Sequence, residues 1–119
     1  MFARIVSLQV KPNASSEFAR VFENEIVPAL RRQRGFSDEM LFVDPGGPET
    51  VAISLWNSRQ DADAYGREIY PQLLKSLAKL IERAPAVGTF QLAYSTLQPD
   101  AAQFPSQSPN TTPPGAPGA

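Results

Sequence analysis

"FSDEMLFVDPGGPETVAISLW", residues 36–56, decides the fold. Two β-rich runs, 36–44 and 49–56, flank a "PGGP" whose prolines and glycines supply turn dihedrals and cannot continue a strand. The spacing predicts a hairpin with a four- to five-residue loop, so the two strands are antiparallel neighbours. In the second strand Val51, Ile53 and Leu55 alternate with Ala52, Ser54 and Trp56. Both parities are largely apolar, and both faces are therefore expected to be covered.

Upstream of the hairpin, residues 2–10, "FARIVSLQV", form another β-branched run, with Phe2, Arg4, Val6, Leu8 and Val10 on one parity. Pro12 and Asn13 end it, and Asn13 or Ser15 can cap the helix that follows. Phe18, Val21, Phe22, Ile26, Ala29 and Leu30 recur at the spacing of one helical face, which predicts a first helix running to about Arg32. Pro28 removes one of its hydrogen bonds and should bend or loosen the last turn. Arg31, Arg32 and Arg34 complement the dipole at its end, and Gly35 suits a left-handed cap.

Downstream, Ser58 caps a second helical region with Asp61 three residues later. Gly66 and Pro71 interrupt that region, predicting a short helix near 59–66 and a longer one from about Tyr70, with Leu73, Leu74, Leu77, Leu80 and Ile81 in its buried stripe. Ala84 and Pro85 close it, and "AVGTFQLAYSTL", residues 86–97, reads as a fourth strand. The order β-α-β-β-α-β specifies an α+β, ferredoxin-like fold: a four-stranded antiparallel sheet with its helices on one face. The opposite face is apolar too, and a second copy of the chain is the simplest cover, giving a homodimer joined sheet to sheet.

Residues 1–98 are thus expected to be one domain. Residues 99–119 carry half of the chain's twelve prolines and no Lys or Arg, which predicts a tail, disordered or draped over the domain, with Phe104 as a candidate anchor. Eleven basic side chains balance twelve acidic ones, so no field is present to hold nucleic acid or an anionic membrane. There is no cysteine and no histidine, which removes disulfides, thiolate nucleophiles, Ser-His-Asp chemistry and the usual metal ligands. No metal or other cofactor is expected. Arg4 interrupts the first apolar run and no stretch approaches 18 consecutive apolar residues, so the expected location is the cytoplasm.

"VKP" ending the first strand, the Phe18 and Phe22 helix, "RGF" before the second strand, "LWNSRQDADAY" leaving the third and the leucine-rich last helix together resemble the antibiotic biosynthesis monooxygenase type of dimeric α+β barrel, over residues 2–97. That resemblance implies a dimer with a pocket between sheet and helices in each subunit. Some members oxidise phenolic or quinol-like compounds with O2 and neither metal nor flavin; others degrade haem. Trp56 matches the tryptophan after the third strand in haem-degrading members, and Tyr65 an aromatic position nine residues on. Their haem-ligating histidine would fall near Lys75 and their pocket asparagine near Ile5, and this chain has neither residue type there. Haem degradation is therefore disfavoured.

The remaining reading is a cofactor-independent monooxygenase for a small electron-rich aromatic, with a non-catalytic dimeric ligand-binding or assembly module as the alternative. The candidate pocket is Trp56, Tyr65, Tyr70 and Ser54, with Arg4 or Lys75 as a countercharge. Against it stands the ordinary role of a large aromatic at a strand end, which is to fill the core. Tyr65 and Tyr70 diverge by about 140° on an unbroken helix, so a break at Gly66 or Pro71 is needed to aim both inward. An apolar cavity of about 300 Å³ or more with inward hydroxyls marks a ligand site, and a filled space marks a plug. No catalytic base stands out, because Asp61 and Asp63 are explained by a helix start, and Asp38 and Glu39 face opposite sides of their strand.

Overall fold

The computed structural model describes residues 1–97; the expected domain end at 98 and the tail with Phe104 lie outside the described residues. In chain order the elements are β1 (Phe2–Gln9), α1 (Ser15–Val21), a π-helical turn (Phe22–Ile26), α2 (Val27–Arg31), β2 (Phe36–Val43), β3 (Glu49–Trp56), α3 (Arg59–Glu68), α4 (Tyr70–Leu77), a 3-10 turn (Ala78–Leu80) and β4 (Ala86–Gln91). The sheet order is β2-β3-β1-β4 and every pairing is antiparallel, as the hairpin reading requires.

The hairpin turn is stapled by Asp44. Its N–H donates to Glu49 O at 2.9 Å and its Oδ1 accepts from Gly46 N at 3.0 Å, which satisfies turn groups locally. The helix caps follow the sequence only in part. Ser58 Oγ accepts from Asp61 N at 3.1 Å, as expected. Neither Asn13 nor Ser15 caps α1, because Asn13 is turned to φ 66° and Ala14 holds the cap position without a side-chain bond.

Several boundaries differ from expectation for identifiable reasons. The first helical region reaches Arg31 as three pieces, with Val27 N bonding back to Phe22 O across the wide turn just before Pro28. The π turn places the proline, which has no N–H, at the start of a fresh helical segment rather than inside an old one. Gly66 does not interrupt α3, which runs through it to Glu68; the break falls at Ile69, with φ −112° and ψ −45°, one residue before Tyr70. The last helix is shorter than its apolar stripe, since Leu80 sits in the 3-10 turn and Ile81 makes a bridge to Val10. Strand β4 ends at Gln91 rather than 97, after which Leu92 N still bonds Met1 O.

Pairing register sorts the sheet into rows. Facing the helices are the aromatic row Phe2–Trp56–Phe36, the polar row Thr89–Arg4–Ser54–Glu39 and the apolar row Val87–Val6–Ala52–Leu41. The second row depends on a bulge: Phe36 pairs with Trp56 but Asp38 pairs with Leu55, leaving Ser37 as the extra residue. Without that insertion Phe36 and Glu39, three residues apart, would lie on opposite faces. The other face carries Ile5, Met40, Phe42, Ile53, Leu55 and Phe90 by the same register, with Phe42 56% and Phe90 57% exposed.

Candidate functional site

The core beneath the helices is closed at one end by Trp56, which is 0% exposed. Its ring stacks on Tyr65 at 4.9 Å between centroids and meets Phe36 edge-on at 5.7 Å. Its Nε1–H donates to Ser54 Oγ at 2.8 Å, so the indole donor is already spent. Trp56 is therefore a plug, and the expected role as a ligand donor is not what its geometry provides.

Beside the plug lies a cavity of about 40 Å³ between the polar and apolar rows below and α1, the π turn, α3 and α4 above. Its wall includes Arg4, Glu39, Ser54, Ala52, Tyr65 and Tyr70, with Phe18, Phe22, Leu73, Leu74 and Leu77 from the helices. Ser54 and Ala52 leave this space because they are the small members of their rows. The volume is room for one or a few waters and is far below the 300 Å³ of a ready ligand pocket. Of the helical side chains in this wall, Phe22, Leu73 and Leu74 are only partly buried. Glu39 and Phe22 also line an outer cleft with Arg31, Phe36 and Asp38.

Three buried polar atoms here have no hydrogen-bond partner among the described residues: Arg4 Nε, Glu39 Oε1 and Tyr70 Oη. Such orphans are uncommon because each forfeits its hydration. Arg4 is only 7% exposed, and its guanidinium lies 4.8 Å from the Tyr70 ring and 5.3 Å from the Tyr65 ring. Cation–π attraction holds the charge without neutralising it. Among the described residues no carboxylate comes within 4.0 Å of it. Arg4 and Glu39 flank Ser54 on adjacent strands, two strand spacings or about 10 Å apart at the backbone.

Burial pushes the Glu39 carboxyl from its ordinary 4.5 up to about 8. Burial also raises the Tyr65 phenol, with Arg4 opposing and Glu39 and Tyr70 adding to the rise. Tyr70 is likewise raised by burial and lowered by Arg4. Neither phenol therefore ionises near neutrality, whereas Glu39 changes charge close to it.

Gly66 has a specific function in this arrangement. A Cβ there would overlap Arg4 Nη1, so the missing side chain lets the guanidinium lie on the α3 backbone. Gly35, at φ 78°, is similarly constrained, since a Cβ would run into the Asp61 carboxylate.

Of the expected pocket residues, Ser54, Tyr65 and Tyr70 line the cavity and Trp56 stands behind it. The tyrosine rings are 6.3 Å apart, brought together by the break at Ile69. Lys75 is exposed on α4 and not part of the wall, whereas Arg4 lines the cavity. The inward placement of Glu39 was not legible because the bulge that turns it inward leaves no mark in residue alternation.

A model of the antibiotic biosynthesis monooxygenase family matches residues 1–68, more than half of the chain. The chain belongs to the antibiotic biosynthesis monooxygenase family. Among solved structures, this family member resembles a mutant of SnoaB, a cofactor-independent oxygenase from Streptomyces nogalater, with TM-score 0.69 and 19% identity over 82% of this chain and 97% of that one. Rv0793 from Mycobacterium tuberculosis superposes with TM-score 0.64 at 23% identity, covering 80% and 97%. NE2512, a protein of unknown function from Nitrosomonas europaea, gives 0.67 at 16%, covering 82% and 93%. At these identities the likeness establishes the fold alone. No curated protein matches. Proteins of the family are generally dimeric, and among the described residues no helix is long and apolar enough to cross a membrane.

Proposed function

We propose that this protein is a cofactor-independent monooxygenase of a small electron-rich aromatic, of the quinol, phenol or anthrone type, acting in the cavity between Arg4 and Glu39. The observation that carries the reading is the set of unpartnered polar atoms on Arg4, Glu39 and Tyr70 within an apolar wall. A reaction that passes through an aryloxide or a carbanion needs a base and preorganised donors in a dry site. With an anthrone, Glu39 as carboxylate removes the proton from the activated CH2 of the substrate. Arg4 Nε–H and Tyr70 O–H hold the oxygen on which the negative charge then rests. That electron-rich anion reduces O2 by one electron and recombines with it, forming a C–O bond. The resulting peroxide anion takes back the proton from Glu39 and loses water, so CH2 plus O2 becomes C=O plus H2O and the carboxylate is restored.

Glu39 works only when ionised, so activity is expected to rise with pH through about 8. The small volume means that Phe22, Leu73 and Leu74 move aside for the ring. The same small volume favours a second reading, a non-catalytic ligand-binding or assembly module. Oxygen uptake with a panel of anthrones and naphthohydroquinones separates the two. Glu39→Gln should lower the rate at least 10²-fold, and uptake no faster than buffer with every compound would remove the oxygenase reading.

We also infer that the apolar sheet face with Phe42 and Phe90 meets the same face of a second copy. Half-exposed phenylalanines on a mostly apolar sheet face, and the dimeric habit of the family, support it.

A further inference from the structure

We infer that the same cavity is a receptor for aryl carboxylates, the anion held by Arg4 Nε–H and Tyr70 O–H while Glu39, in its carboxylic acid form, donates the third hydrogen bond. This rests on the cavity assigned above as the site of function but not on any turnover. A phenol or quinol reaches the oxygenase step by giving a proton to ionised Glu39. A preformed carboxylate has no proton to give and needs the opposite state of the same side chain.

The inner wall supports this on charge and on donor count. Arg4 is more than nine-tenths buried, and two aromatic rings face it instead of an anion. One monoanion neutralises it, and all three orphan groups then find acceptors on one carboxylate, which has lone pairs for about four donors. The apolar helical wall of Phe18, Phe22, Leu73 and Leu74 suits a ring once Phe22, Leu73 and Leu74 move aside, and offers nothing to a second charge.

The groups facing Glu39 from the packed elements are Arg4 on β1, Tyr65 on α3 and Tyr70 on α4, with Arg31 of α2 and its neighbour Asp38 across the outer cleft. Both phenols are pushed upward by burial, and an arginine does not titrate in a protein. Glu39 alone of the cavity-lining groups therefore changes charge between pH 6.5 and 9.0, with its midpoint at about 8. At pH 9.0 only about a tenth of the site retains the acid form, so carboxylate affinity should fall about tenfold from its value at pH 6.5.

Calorimetric titration of the full chain tests this with benzoate and 2-naphthoate, against the neutral isosteres benzamide and 2-naphthamide. At pH 6.5 each carboxylate should bind at least tenfold more tightly than its amide, and at pH 9.0 most of that advantage should be gone. Glu39→Gln keeps an N–H donor and should bind the carboxylates with no pH dependence. Tyr70→Phe, which keeps the ring over Arg4, should weaken them several-fold. Equal affinity for carboxylate and amide, no binding, or the same tenfold fall in Glu39→Gln would each overturn the proposal. Carboxylate binding without oxygen uptake would remove the oxygenase reading and leave this one standing.

Discussion

Replacing Glu39 by glutamine removes the one carboxyl, among the described residues, that the fold holds protonated near neutral pH. Its pKa rises from 4.5 to about 8 on folding because burial penalises the charge. The folded protein therefore keeps a proton that the unfolded chain releases above pH 4.5, and stability falls as pH rises between 4.5 and 8, levelling above that. At about 1.4 kcal/mol per pH unit the full interval is worth on the order of 5 kcal/mol. Glu39 retains some solvent contact, which screens the charge, and about 3 kcal/mol is the expected loss. The chain has no histidine, so this window is unusually free of other titrating side chains. Urea unfolding at pH 5.5, 7.0 and 8.5 should show wild type weakening by about 1 kcal/mol per pH unit, while Glu39→Gln stays level and is the more stable protein at pH 8.5. An equal slope in both proteins would refute the placement of the carboxyl in a dry cavity.

Gly66→Ala in a helix interior ordinarily adds up to about 1 kcal/mol, but here thermal unfolding should reveal a loss of at least that size, because the new methyl displaces Arg4. Trp56→Phe should cost about 2–3 kcal/mol through lost packing and the hydrogen bond to Ser54, while any oxygen uptake persists, since the indole lies behind the cavity wall. Phe42→Asp combined with Phe90→Asp should convert a dimer into a monomer of about 13 kDa by light scattering; a wild-type monomer would refute the sheet-to-sheet pairing.

The turn chemistry of Pro45–Pro48 and the apolar spacing along the chain were sufficient to read the antiparallel sheet, the element order and the sheathing of one face by helices. What escaped were features that depend on the third dimension. Gly66 looks like a helix breaker in a linear reading, whereas it is kept small by a guanidinium arriving from β1. The π turn ahead of Pro28 converts an apparent defect into a joint between two helical segments. Tyr65 and Tyr70 do converge, but through a break at Ile69, which no composition rule flags. Arg4 was legible only as one of two candidate countercharges, and Lys75 was not distinguishable from it until α4 was oriented.

The extra residue at Ser37 has a consequence for descent as well as for geometry. The inward carboxyl is located by its pairing opposite Ser54, not by its distance along the chain from Phe36. A gene that lost the Ser37 codon would flatten the strand and still deliver a glutamate to the same place, whereas one that kept the codon and lost the bulge would deliver Asp38 instead. Chemistry at this position can thus persist through a length change and vanish with no change in composition. Among proteins that share this fold at 16–23% identity, counting matched columns is then a poor guide to which of them keep the acid. The partner across the strand is the better ruler.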